Sequence, residues 1–186
     1  MNLGRIPLLV WFLVPTVILI GLGVWFFTKS STDGMQEGTD LNLVPVSTPV
    51  EGTVEFKVEG RNHIPTGTQV TNYNSNPPNS GDHWAGPAKN GVYDSELLDE
   101  QLIHNLEHGY VWISYKPDVG DEVKNELKKI VEEDNWKIVL EPRDKNDTPI
   151  ALVAWGRVLK MDTPDYDKVR AFIKTYRNRG PERTPE

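Results

Sequence analysis

Along the chain, apolar and polar positions form three kinds of pattern: one long apolar run, a stretch with no period, and a region where periods of two and of 3.6 alternate. From Ile6 to Phe27 the sequence IPLLVWFLVPTVILIGLGVWFF holds no charged residue, enough at about 1.5 Å per residue to cross a hydrocarbon layer of about 30 Å. It predicts a transmembrane helix, in which Pro15, Gly21 and Gly23 are tolerated because local adjustments satisfy the freed carbonyls. The run is longer than the apolar part of a cleaved signal. It also ends in Trp25-Phe26-Phe27, where cleavage would need small residues, so an uncleaved anchor is favoured. Arg5 and the amino terminus on one side face only Lys29 on the other. The positive-inside rule then predicts a cytoplasmic N-terminus over 1–5, a span over 6–27 and an exported remainder, a single-pass protein of the cell membrane.

Residues 28–52 are rich in Ser, Thr, Gly, Pro and acids without periodicity, which predicts a flexible linker. The extracytoplasmic domain is expected over 53–180, with 181–186 as a tail. Val54, Phe56 and Val58 alternate with charged neighbours and predict a half-buried strand. Arg61 to Tyr93 is long and irregular, and its centre, NYNSNPPNSGDHW, is turn chemistry. Because it carries Tyr73, His83, Trp84 and Tyr93, it is expected to be an ordered, packed loop rather than a disordered one.

After the loop, Asp94 or Ser95 is placed to cap a helix with Glu96, Asp99 and Glu100 in its first turns, and Gly109 to end it in the left-handed conformation. YVWISY then predicts a strand. A second helix is expected over about 119–134, with Val119, Val123, Leu127, Ile130 and Val131 on one stripe. Strands follow over about 137–141 and 150–157, and a last helix over about 164–177 buries Val169, Phe172, Ile173 and Tyr176 before Gly180-Pro181 stops it. The order β, loop, α, β, α, β, β, α predicts an α+β domain with three helices and a mainly antiparallel sheet.

Charge narrows the partners. Beyond position 30 the chain keeps all 27 of its acidic residues and all but Arg5 and Lys29 of its 20 basic ones. An exported part this acidic, with no basic run longer than Lys128-Lys129, is repelled by phosphate backbones, so nucleic acid is not expected as a partner. The absence of cysteine excludes thiolate metal sites, iron–sulfur clusters and cysteine nucleophiles. No Gly-rich phosphate loop, dinucleotide fingerprint or nucleophile elbow is present. Trp112 and Trp155, on expected strands, belong to the core.

The chemistry-bearing residues are the histidines. All four, His63, His83, His104 and His108, lie between positions 63 and 108. On a helix, His104 and His108 fall about 40° apart on one face, roughly opposite the stripe of Leu98, Leu102 and Leu106. This spacing presents two ring nitrogens to one metal ion. His83 is the expected third ligand, His63 a further one, and Glu107 and Glu100 carboxylates that orient the rings. Imidazole without thiolate suits copper(II) or zinc, and Met161 is the one domain methionine available to favour copper(I). Helix-dipole stabilisation by terminal histidines, with a loop histidine as a hydrogen-bonding strut, is the competing explanation. The segment His104-Asn105-Leu106-Glu107-His108 also spells the inverted zincin signature, in which the glutamate is a general base and a further carboxylate ligand comes from a second helix. Here a glycine and a strand follow at once, and nothing singles out such a carboxylate.

Taken together, SNPPNSGDHW, GVY, IHNLEHGYVWISYKP, VAWGR and VRAFIKTYRNRGPE resemble a bacterial and archaeal membrane-anchored family known as domain of unknown function 3105. His83, His104, Glu107 and His108 stand at its motif positions. The resemblance implies an exported α+β domain behind one anchor helix and no established reaction. Two further functions compete with metal binding: a metal-dependent hydrolase using Glu107 as base, and an interaction module whose aromatic, Asn-rich loop meets a wall component or a partner membrane protein. The lipid bilayer is the partner expected of residues 6–27.

Overall fold

The computed structural model describes Val46, residues 48–182 and Thr184. The span expected over 6–27 lies outside these residues, and among the described residues no helix is long and apolar enough to cross a membrane.

The elements in chain order are β1 (Thr53–Glu55), β2 (His63–Ile64), β3 (His83–Trp84), β4 (Gly91–Val92), α1 (Asp99–Glu107), β5 (Val111–Tyr115), α2 (Asp121–Glu133), β6 (Ile138–Pro142), β7 (Ile150–Ala154), β8 (Arg157–Met161) and α3 (Tyr166–Tyr176). Six strands form one sheet in the order β1-β8-β7-β5-β6-β4, and β2 and β3 form a separate two-stranded parallel ladder. The sheet expected to be mainly antiparallel is mixed. β1, β8, β7 and β5 pair antiparallel, whereas β6 lies parallel to both β5 and β4. The reason is connectivity: a strand that returns through a helix must run parallel, and α1 joins β4 to β5 as α2 joins β5 to β6.

Alternation along the strands builds two cores, one on each side of the sheet. Val111, Ile113, Leu140, Ile150, Leu152 and Leu159 face α2 and α3. Trp112, Val139, Val153 and Val158 face Leu102, Ile103 and Leu106 of α1. Both expected core tryptophans, Trp112 and Trp155, are buried, and Met161 packs in the core on the α2–α3 side.

Three other expectations change. The strand expected over 150–157 is a hairpin of β7 and β8, turned at Gly156 with φ 70°. Helix α1 begins at Asp99 rather than beside Asp94 or Ser95, because the preceding backbone is held from the sheet. The Tyr93 amide donates to Leu140, and the Leu97 amide to the Glu141 carboxylate. Burial, above all, raises the Glu141 pKa to about 8. Packing also reaches beyond 53–180 at both ends: Val46 and Val50 pack against the α2–α3 core, and the Glu182 amide donates to the Glu107 carbonyl.

Of the loop from 61 to 93, expected to be packed throughout, the middle is buried at 77–81 and His83, whereas most of 61–72 is exposed. Asn79 and Ser80 are fully buried; the Asn79 amide donates to Ser75 Oγ at 2.6 Å, and the Gly156 amide donates to the Asn79 carbonyl. Asn105 of α1 exchanges two hydrogen bonds with the Ala88 backbone, both 2.8 Å, which pins the end of the loop to the helix carrying His104.

Candidate metal centre

The β2–β3 ladder sets His63 beside His83 as registered partners. Registered residues of a parallel pair point their side chains to the same side, so the short ladder aims two imidazoles together. Their ring centroids are 5.0 Å apart. Helix α1 brings His104 against both, 5.0 Å from the His63 ring and 5.2 Å from the His83 ring. Glu107, one turn further on, places Oε2 3.0 Å from His83 Nε2 and 3.5 Å from His63 Nε2. His63, His83, His104 and Glu107 each offer a ligand atom within 4.8 Å of the others. Ligand atoms around a tetrahedral ion with bonds of about 2.0–2.1 Å lie roughly 3.3 Å apart, so the two carboxylate separations already match such a shell.

The tautomer of His83 follows from its partners. Its Nδ1 is 2.7 Å from the Gly81 carbonyl, which can only accept, so Nδ1 carries the proton and donates. In the neutral ring, Nε2 then faces Glu107 with a lone pair. His83 and Glu107 are both buried, so water does not separate nitrogen from oxygen. Either a proton or a metal cation must lie between them. A ring nitrogen fixed in this way by a backbone carbonyl on its other side is the usual arrangement of a metal-bound histidine.

Without metal, burial opposes charge on His83, but the hydrogen bonds to Glu107 and Gly81 and the Glu107 charge outweigh it and raise the pKa. Burial likewise opposes the Glu107 carboxylate, and the histidines outweigh it and lower the pKa. Around His104 the Glu107 charge and a backbone hydrogen bond at Trp84 do not offset the opposing effects. Burial first, then the neighbouring His108 and His83, lower it to about 4, and its Nδ1 is buried without a hydrogen-bond partner.

A pH dependence follows. The unfolded chain protonates His104 near 6.5 and the folded one only near 4, so folding loses stability as pH falls through that window. The loss is up to ~3 kcal/mol. The contribution of His83 runs the other way, being fully present below 6.5 and lost as pH rises through its higher folded pKa. Over the same window Glu141 acts in the opposite sense, since its raised pKa favours folding at the lower pH, so the His104 contribution is read as a difference between proteins: His104→Gln is expected to gain stability relative to the wild type as pH falls from 6.5 to 4.5 in urea unfolding. An unchanged slope in the variant would refute the assignment.

The remaining expected site residues go elsewhere. His108 lies beside His104, ring centroids 4.4 Å apart, but is grouped with Glu107 and Glu182 and not with His83, its Nε2 3.4 Å from Glu182 Oε2. Glu100, expected to orient a ring, accepts the Val70 amide at 2.7 Å instead. Glu107, expected behind the ligands, stands among them.

Glu182 is the residue that sequence reasoning missed, since 181–186 reads as a tail. It is delivered by close backbone crossing: the Asn178 amide donates to the Gly109 carbonyl at 2.6 Å and the Glu182 amide to Glu107 at 3.0 Å. Gly109, at φ 82°, allows the approach; a Cβ there would come within 2.8 Å of the Asn178 Cα. Lys137 Nζ fastens the crossing by donating to the His108 carbonyl, Asn178 Oδ1 and Thr184. The only sequence hint was a Gly-Pro pair followed by an acid.

No curated protein and no solved structure matches the chain. The model of one family does match, over residues 63–186, a stretch that includes all four histidines, Glu107 and Glu182. The chain belongs to that family, described as protein of unknown function DUF3105.

Proposed function

We propose that this domain binds a transition-metal ion through His63, His83, His104 and the Glu107 carboxylate. One observation carries the reading: a buried, tautomer-fixed His83 nitrogen facing a buried carboxylate oxygen at 3.0 Å, with two more imidazoles around them. Three imidazoles and a carboxylate suit zinc or copper(II). Copper(I) is disfavoured because Met161 packs among the core residues on the other side of the sheet. Four protein donors complete a tetrahedron, which supports holding the ion over using it on a substrate. The inverted zincin reading also loses ground here, because its two histidines must share one ion and its glutamate must stay free of it. The apolar run 6–27 supports an anchored, extracytoplasmic setting.

The test is titration of the metal-free protein with Zn²⁺ and with Cu²⁺, alongside elemental analysis after desalting. The double variant His83→Ala/His104→Ala is expected to bind at least ~100-fold more weakly, since losing even a residue behind a ligand costs ~10–100-fold. Wild-type protein that retains neither metal would overturn the reading and leave an interaction module as the alternative.

A further inference from the structure

The geometry points to a second metal ion beside the first, held by His108 and Glu182 and bridged to it by the Glu107 carboxylate. This inference rests on the proposed function and extends it from one ion to two. Three observations carry it.

First, the two ligand groups are adjacent and share one residue. His63, His83, His104 and Glu107 form one group, and Glu107, His108 and Glu182 form the other, with ligand atoms within 4.8 Å of one another in each. The rings of His104 and His108 are 4.4 Å apart by centroid. A carboxylate has two oxygens. Both His63 and His83 meet Oε2 of Glu107, and Oε1 is a separate donor for a second ion.

Second, the second group is built by the fold. His108 is the residue that caps α1, and its ring is largely buried, with Nδ1 lacking any hydrogen-bond partner. Glu182 reaches it only because residues 178–182 cross directly over the helix end. A Cβ on Gly180 would overlap the Glu107 carbonyl oxygen and the Gly109 nitrogen, so the chain there is as close to the helix as backbone can come. Lys137 Nζ donates to both the His108 and the Thr184 carbonyls and so ties the two segments together.

Third, the donor set is large enough for two ions. Two carboxylates and four imidazoles in one cluster match a pair of divalent cations in donor type, and the absence of thiolate and thioether restricts the pair to metals that accept nitrogen and oxygen. Glu182 is about half exposed, so the second ion is the more accessible and the more weakly held.

The full-length chain, purified in mild detergent and stripped of metal, tests this with Zn²⁺ alone and then Cu²⁺ alone. Two equivalents of Zn²⁺ per chain are expected. Glu182→Gln, a near-isosteric surface change, and His108→Ala should each lower the count to one, with the remaining affinity unchanged within about threefold. Glu107→Gln should weaken both equivalents. With two equivalents of Cu²⁺, the electron paramagnetic resonance signal should be well below that of two isolated ions, because a shared carboxylate couples their spins. A wild-type count of one that Glu182→Gln leaves at one would overturn the second site while the first stands, and a count of zero would remove both. Two equivalents with a full, uncoupled copper signal would overturn the bridge.

Discussion

Arg143→Ala is expected to lower folding stability by about 3–5 kcal/mol, the range for removing one partner of a buried ion pair. The guanidinium is nearly inaccessible and makes a two-pronged contact with Asp99, at 2.9 Å from Nε and 2.8 Å from Nη2. Its remaining nitrogen donates to Asn76 at 2.6 Å and to Asn146 at 3.0 Å. One side chain from the end of β6 therefore ties the first turn of α1, the Asn-rich loop and the 143–149 turn together. Alanine would leave the Asp99 carboxylate and two amide oxygens without their donor. Arg143→Lys keeps the charge but not the planar fork, so it should recover only part of the loss. Urea unfolding of the metal-free protein measures both; a loss under 1 kcal/mol for alanine would show that the network is dispensable.

Gly180→Ala is expected to have an effect above about 3 kcal/mol, because the obstruction is backbone and cannot rotate away. The added methyl group meets the Glu107 carbonyl oxygen, the Glu107 carbonyl carbon and the Gly109 nitrogen at once. Relief requires residues 178–182 to lift off α1, which breaks the hydrogen bonds that the Asn178 and Glu182 amides donate to Gly109 and Glu107 and frees the Lys137 contacts to Asn178 and Thr184. Hydrogen exchange at Asn178 and Glu182 should rise well beyond the global loss of stability. Zinc should then bind with the count expected for Glu182→Gln. Native exchange protection at those two amides would show that the crossing absorbs a side chain, contrary to the geometry.

What the sequence revealed and what it hid divide along the distance between interacting residues. Helices α2 and α3 were legible because Leu127, Ile130 and Val131, and Val169, Phe172 and Ile173, repeat at helical spacing, a property of neighbours in the chain. Strand β5 was legible from its aromatic and β-branched run. The start of α1 was misplaced because the residue that holds the Leu97 amide, Glu141, is 44 positions away on another strand. The two-residue β4 has no pattern of its own, so its parallel place beside β6 was hidden too.

At the site, clustering of four histidines in 46 positions made the chemistry visible, and helical spacing put His104 and His108 together. The partition between them was not visible. His104 turns toward His63 and His83 and His108 toward Glu182, and this depends on a two-residue ladder and on a C-terminal crossing that leave no periodic trace.

His63 differs from the other members of its group in being about half exposed, while His83 and Glu107 are buried. An ion lodged there would have a single door. Exchange with an outside chelator would proceed by the incoming group first displacing His63, so the release rate should climb with chelator concentration instead of staying constant. Such kinetics would distinguish an ion held for exchange from one sealed permanently inside a protein.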